Sequence, residues 1–185
     1  MNRPAPEPPW PARIQGFAFS PFAQDQAPAL QRLPTEAEND RDLALLAGRT
    51  NAVRTYSTLG SLGAVPRLAD AHDINVALGA WVDANAGTSE LELEGAISLA
   101  RTHRNVVRVL IGNEVVLRGD LPAEEFYAYL DRARAAIRQP GGTAEPWHVW
   151  LANPELAEHV DFIAVHLLPY WEGIPVETAV DYSIE

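Results

Sequence analysis

The chain has 185 residues, 47% of them hydrophobic, which is enough for one domain with its own core. It carries 14 basic against 25 acidic side chains, a formal charge of −11. A protein that tracks phosphates needs the opposite sign, so neither nucleic acid nor an anionic membrane surface is expected as a partner. There is no cysteine, which also excludes disulfides, thiolate catalysis and thiolate-bound zinc.

Residues 1–12 form a leader punctuated by Pro4, Pro6, Pro8, Pro9 and Pro11. It reads as extended chain and lacks the apolar stretch of a secretory signal. No run approaches the roughly 18 apolar residues of a membrane span. From residue 13 onward, short apolar runs alternate with helical stretches. Strands are expected over residues 14–19, 52–56, 74–82, 106–116 and 160–168, with a weak one near 143–147. Thr35 and Glu38 make a capping box for a helix over 35–47, which Gly48 can stop. A short helix over 65–72 has Pro66 in its first turn. Ser89 and Glu92 read as a second capping box, opening a helix whose apolar face is Leu93, Ala96, Ile97 and Ala100. Further helices are expected over 122–137 and over 148–159, the latter interrupted by Pro154.

This alternation predicts a parallel α/β sheet with crossover helices, either a barrel or an open doubly wound sheet. A dinucleotide-binding version of the latter needs a glycine-rich turn after its first strand. Here that strand runs into Phe19-Ser20-Pro21-Phe22 instead.

In a barrel, chemistry gathers at the C-terminal strand ends. Those ends offer Arg54, Tyr56, Trp81, Asp83, Asn113, Glu114, Glu145, Tyr170 and Trp171. Aromatics with carboxylates and amides, and no basic cluster, suit a neutral sugar. Glu114 is the first candidate, because glycosidic cleavage needs a carboxylic acid to protonate the leaving oxygen. Asn113 beside it suits a sugar hydroxyl. The alternative is an Asn-Glu pair that merely caps the next helix. Glu145 reads either as a contact to substrate that tunes Glu114 or as a solvated loop acid. Arg54 reads as a partner for a carboxylate in the barrel mouth, or as an ordinary ion pair. Trp81, Tyr170 and Trp171 read as stacking platforms or core. His166, on an apolar strand, reads as a core histidine. The five histidines show no metal spacing, and neither metal nor cofactor is expected.

Five ordered segments carry a resemblance. They are residues 14–22, Val53-Arg54-Thr55-Tyr56-Ser57, Ile111-Gly112-Asn113-Glu114-Val115, Thr143-Ala144-Glu145-Pro146-Trp147 and His166-Leu167-Leu168-Pro169-Tyr170-Trp171. Together they resemble glycoside hydrolase family seventeen, in particular its bacterial branch of β-1,3-glucanases, β-glucosyltransferases and β-1,6-glucan synthase-like proteins. The resemblance implies a (β/α)₈ barrel and a retaining mechanism on β-glucan. It implies Glu114 as acid/base, Asn113 as the group on the sugar 2-hydroxyl, and Tyr56, Glu145, Tyr170 and Trp171 in the substrate cleft. It also suggests the cell envelope as the location.

Two departures accompany the resemblance. The family's nucleophilic glutamate belongs to a seventh strand, whereas the pattern here ends just after a sixth. Gln139-Pro140-Gly141-Gly142 stands where the fifth strand is expected, so that strand reads as shortened or deleted. The expectation is therefore residues 13–185 as an incomplete barrel, inactive alone and with raw sheet edges. A carbohydrate-binding or interaction module without catalysis, and an inactive truncated product, remain open.

Overall fold

A computed structural model describes residues 11–27, 30 and 32–184. Most of the proline-rich leader lies outside the described residues; Pro11 and Ala12 are exposed. Six strands form one sheet in which every pairing is parallel and the order follows the chain. They are β1 (Phe17–Ala18), β2 (Ala52–Arg54), β3 (Asn75–Ala80), β4 (Val106–Asn113), β5 (Gly141–Pro146) and β6 (Phe162–His166). The helices are α1 (Glu36–Leu46), α2 (Val65–Asp70), α3 (Ala86–Thr102), α4 (Val115–Arg118), α5 (Ala123–Ala136), α6 (Trp147–Ala152) and α7 (Ala179–Ile184). A doubly wound sheet reverses its strand order at a switch point. This sheet never does, which decides for the barrel-type winding.

The sheet also curls. β2 and β6 are four spacings apart, about 19 Å in a flat sheet at about 4.8 Å per strand. Yet Arg54 Nη1 of β2 lies 3.2 Å from His166 Nε2 of β6. Two side chains cannot span that flat distance, so the strands wrap around a common mouth.

Local sequence explains the elements. Thr35 caps α1 by the expected reciprocal pair with Glu38, and Gly48 follows in a left-handed conformation. Pro66 sits in the first turn of α2. Pro154 separates α6 from the 3₁₀ turn Pro154–His159. The core lies between the middle strands and the helices, with Leu43, Val53, Val76, Leu78, Leu93, Ala96, Val109, Ile111, Phe126 and Leu130 all buried. Each large member contributes about 1.5–3 kcal/mol relative to staying in water. Burial is thinner at the sheet's margins. On β6, Ile163 and Val165 are exposed, and on β1 so is Phe17.

Three expectations need correction. The fourth strand stops at Asn113 rather than 116, because Gly112 (φ 78°) and Glu114 (φ 59°) turn the chain left-handed into α4. The second capping box does not exist. α3 begins at Ala86, one turn earlier, and Asn85 caps it by accepting from the Thr88 N–H at 3.2 Å. Ser89 is an interior residue whose hydroxyl bonds the Asp83 backbone.

The fifth strand is neither shortened nor deleted. It is six residues long and buried throughout, and Gly141 and Gly142 are its first two residues. A Cβ on Gly142 would lie 2.8 Å from the Phe162 carbonyl oxygen and 2.9 Å from its ring. Glycine is there because β6 passes too close for a side chain. Gly142→Ala is accordingly expected to destabilise the fold by about 1–3 kcal/mol, the usual cost of overpacking. A urea-unfolding midpoint equal to the parent's would contradict this account of β5.

Candidate active site

The site grows from the end of β4. Val109, Leu110 and Ile111 bury the second half of that strand up to Gly112, where a Cβ would meet the Val115 side chain at 2.5 Å and the Phe126 ring at 3.0 Å. Only glycine fits both that space and the positive φ. Asn113 is the last strand residue, and Glu114 follows with φ 59°, an uncommon conformation for a non-glycine. The Glu114 N–H is fixed to the Ala144 carbonyl at 2.8 Å, and its own carbonyl accepts from Arg118. Glu114 stands at the start of α4, but its side chain caps nothing there. Glu145 does that work, accepting from the Val116 N–H at 2.9 Å and the Leu117 N–H at 3.3 Å. The Glu114 carboxylate is thereby free for other partners.

Its partner is His166, whose Nδ1 lies 2.6 Å from Glu114 Oε1. His166 Nε2 faces Arg54, and Arg54 Nη2 donates to Asn113 Oδ1 at 2.7 Å. The Arg54 guanidinium also lies over the Tyr56 ring, 4.7 Å from its centre. Burial lowers the Arg54 pKa, while Tyr56 and Glu114 act in the opposite direction. Side chains from β2, β4 and β6 thus form one hydrogen-bonded chain across the mouth. Arg54 turns Oδ1 of Asn113 toward itself, which leaves the amide hydrogens of Asn113 without a protein partner among the described residues and open to a ligand.

Beside this chain opens a cleft of about 1180 Å³, lined among others by Phe19, Phe22, Tyr56, Trp81, Asp83 and Asn113. Trp81 is held in place on both counts that matter. Its Nε1–H donates to Asp83 at 3.1 Å, and the Arg118 guanidinium stacks 4.5 Å from its ring centre. Glu114 follows Asn113 in the chain but is not among the residues lining the cleft; its side chain is about a quarter exposed, 25%.

The expected site residues therefore separate. Tyr56, Trp81 and Asn113 line the cleft, Glu114 is outside its lining and paired with His166, and Arg54 is bonded to Asn113 and His166 rather than to a carboxylate. Glu145 is fully buried under the start of α4 and does not line the cleft. Tyr170 and Trp171 stand in the turn Pro169–Glu172, packed edge to face but largely exposed and away from the cleft lining.

Two residues at the site are not singled out by the sequence. His166 reads as core, because its strand is apolar and nothing local names its partners. Glu92 reads as a capping residue, yet it is 2% exposed and lies at the cleft. It accepts from the Thr58 N–H at 2.6 Å and the Thr58 hydroxyl at 2.8 Å, and also from Ser57. Its signal was available, since Ser89, Glu92, Leu93, Ala96 and Ala100 share one helical stripe, all buried. Among the described residues, no three His, Asp or Glu side chains gather as a metal site.

The winding of the sheet and a carboxylate-bearing mouth define the class as an α/β protein built on part of a (β/α)₈ barrel of glycosidase type. More particularly, the chain belongs to the BtgE/BtgC glycoside hydrolase domain family, whose model matches residues 16–185. It is 28% identical over 185 residues to a probable glucan endo-1,3-beta-glucosidase btgC of Aspergillus clavatus, covering 91% of this chain and 26% of that protein. It is 30% identical over 148 residues to a glucan 1,3-beta-glucosidase of Schizosaccharomyces pombe, covering 71% of this chain and 45% of that one. In fold it is similar to the glycoside hydrolase family 17 β-1,3-glucanosyltransferase of Rhizomucor miehei. The TM-score there is 0.77 at 22% identity, over 92% of this chain and 63% of that chain. An active-site mutant of the same transferase, in complex with laminaritriose, matches equally well. The chain thus spans about a quarter of the btgC relative's length and under two thirds of the solved transferase's.

Burial pushes the Glu145 carboxyl above its ordinary range; the N–H groups of Val116 and Leu117 pull it back down, and the nearby Glu114 adds to the rise. A raised native pKa means that the folded chain holds a proton the unfolded chain has released. The stability from this group is complete below the unfolded carboxyl's pKa of about 4.3 and is lost as pH rises through the higher native value. Glu145→Gln cannot ionise and loses one acceptor at the α4 start, a cost that does not change with pH. Its stability relative to the parent is therefore expected to improve between about pH 4 and about pH 7. Urea midpoints measured across that range check this, and a difference that stays flat or moves the other way contradicts it.

Proposed function

We propose that the protein acts on β-glucan by retaining chemistry, as a hydrolase or a transglycosylase, with Glu114 as the acid/base. The substrate class is 1,3-linked glucan, with 1,6-linked glucan as the alternative linkage. The observation that carries the reading is the coupled placement of Asn113 and Glu114. One lines a cleft beside Tyr56 and Trp81, and the other is the next residue, with a carboxylate freed from capping and joined to Asn113 through His166 and Arg54. Family membership and the names of the relatives point the same way.

In this mechanism a glucosyl ring stacks on Trp81 or Tyr56, whose planes are held by Arg118 and Arg54. The free amide N–H of Asn113 meets the sugar 2-hydroxyl, and Glu114 protonates the departing glycosidic oxygen. The same group, now a carboxylate, then removes a proton from the incoming nucleophile. Water gives hydrolysis, and a second sugar gives transfer. Retention also requires a second carboxylate about 5–5.5 Å away. Glu145 does not suit that role, being buried and committed to the Val116 and Leu117 amides. The resemblance assigns the nucleophile to a seventh strand, beyond the six of this sheet.

In the whole protein, Glu114→Gln is expected to lower turnover of laminari-oligosaccharides by about 10²–10⁴-fold, the range for a lost general acid/base. Oligosaccharide binding should persist in that variant. Products longer than the substrate identify transfer, and shorter ones alone identify hydrolysis. Binding without turnover in the parent would favour a carbohydrate-binding module. Parental turnover in Glu114→Gln would remove this residue from the chemistry.

A further inference from the structure

We propose that His166 is a positioning residue for Glu114. Arg54 holds it in the tautomer protonated on Nδ1, and that tautomer fixes which carboxyl oxygen of Glu114 carries the exchangeable proton. The second half rests on the reading of Glu114 as acid/base; the first half stands on geometry alone.

The argument starts from what an arginine can do. Its guanidinium has five N–H donors, no acceptor, and stays protonated in proteins. Arg54 Nη1 lies 3.2 Å from His166 Nε2. That contact is a hydrogen bond only if Nε2 presents its lone pair. The opposite tautomer would set two N–H groups against each other, and an imidazolium would add a second positive charge beside the first. The ring proton therefore sits on Nδ1, where the neighbour is Glu114 Oε1 at 2.6 Å. The imidazole donates and Oε1 accepts. The His166 and Glu114 side chains are only 17% and 25% exposed, so water competes weakly for this bond.

The consequence falls on Glu114. With Oε1 facing an N–H, a proton there would meet another proton. A neutral Glu114 therefore has Oε1 as its carbonyl oxygen and Oε2 as its hydroxyl. In the acid step the Oε2–H bond breaks and the proton goes to the glycosidic oxygen. In the base step a proton from the incoming hydroxyl or water returns to Oε2. Throughout, Oε1 accepts the same bond from His166, so the carboxyl need not rotate between its two roles. The charged and titratable groups around this pair are Arg54 and Tyr56 from the β2 side, and Glu145 from β5 beneath α4. Arg118 of α4 is turned toward Asp120, the Val82 carbonyl and the Asn113 carbonyl.

The first test is ¹⁵N NMR of the histidine rings in the 185-residue chain at about pH 8, where an ordinary imidazole is neutral. The His166 signals are assigned by their loss in His166→Asn. The expected result is a proton on Nδ1 and none on Nε2; an Nε2-protonated or doubly protonated ring overturns the proposal. The second test is turnover of laminari-oligosaccharides by the whole protein. Asparagine places its amide nitrogen where Nδ1 lies, while glutamine reaches toward Nε2. His166→Asn is therefore expected to keep most of the parental kcat. His166→Gln is expected to lose about 10²-fold, the scale of a misplaced reacting group, in kcat rather than KM. Equal loss in both variants overturns the positioning role. A parent that turns over no glucan, with Nδ1 protonated, leaves the tautomer assignment standing and removes the glycosidase reading instead.

Discussion

The arrangement of the mouth depends on one partly buried cation. Arg54 lies at the end of a three-residue strand, and its guanidinium reaches Asn113 on β4 and His166 on β6 while covering the Tyr56 ring. Burying a charge is costly unless its donors are used. Here both terminal nitrogens are bonded and one face is stacked, while Nε is buried without a partner among the described residues. The arginine joins strands that a flat sheet would hold about 19 Å apart at the usual strand spacing. Curl and site are therefore one problem: the side chains meet only because the sheet wraps, and the wrapped mouth places polar groups around a buried cation.

Much of this was legible in the chain. The alternation of apolar runs with capped, amphipathic stretches located α1, α2, α5, α6 and the body of α3, because caps and periodicity are local properties, whereas the four-residue α4 reads as the end of the fourth strand. Thr35 with Glu38, Pro66 and Pro154 each acted where their chemistry demands. What failed did so for non-local reasons. Gly141-Gly142 looks like a strand breaker, and it becomes a strand because Phe162 crosses too close for any side chain. Glu92 looks like a helix start, and it is a buried acceptor for Ser57 and Thr58, on a loop more than thirty positions earlier. His166 looks apolar by company, yet its partners Glu114 and Arg54 are 52 and 112 positions away. In each case the deciding contact is made by the fold, and no window of sequence contains it.

The same reasoning separates two carboxylates that the sequence could not rank. Glu114 and Glu145 stand at the ends of adjacent strands and interact electrostatically. Both are within reach of the start of α4 by sequence and register. The left-handed backbone at Glu114 carries its side chain away from the helix start, and no cap bond forms there. Glu145, coming up on β5, meets the vacant Val116 and Leu117 amides instead. One acid is thus spent on structure, out of water and held by backbone donors. The other stays partly exposed, with one oxygen on the His166 imidazole. Two like residues thus sit in unlike surroundings, and the difference follows from a backbone twist at two residues, Gly112 and Glu114, rather than from the carboxyl groups themselves.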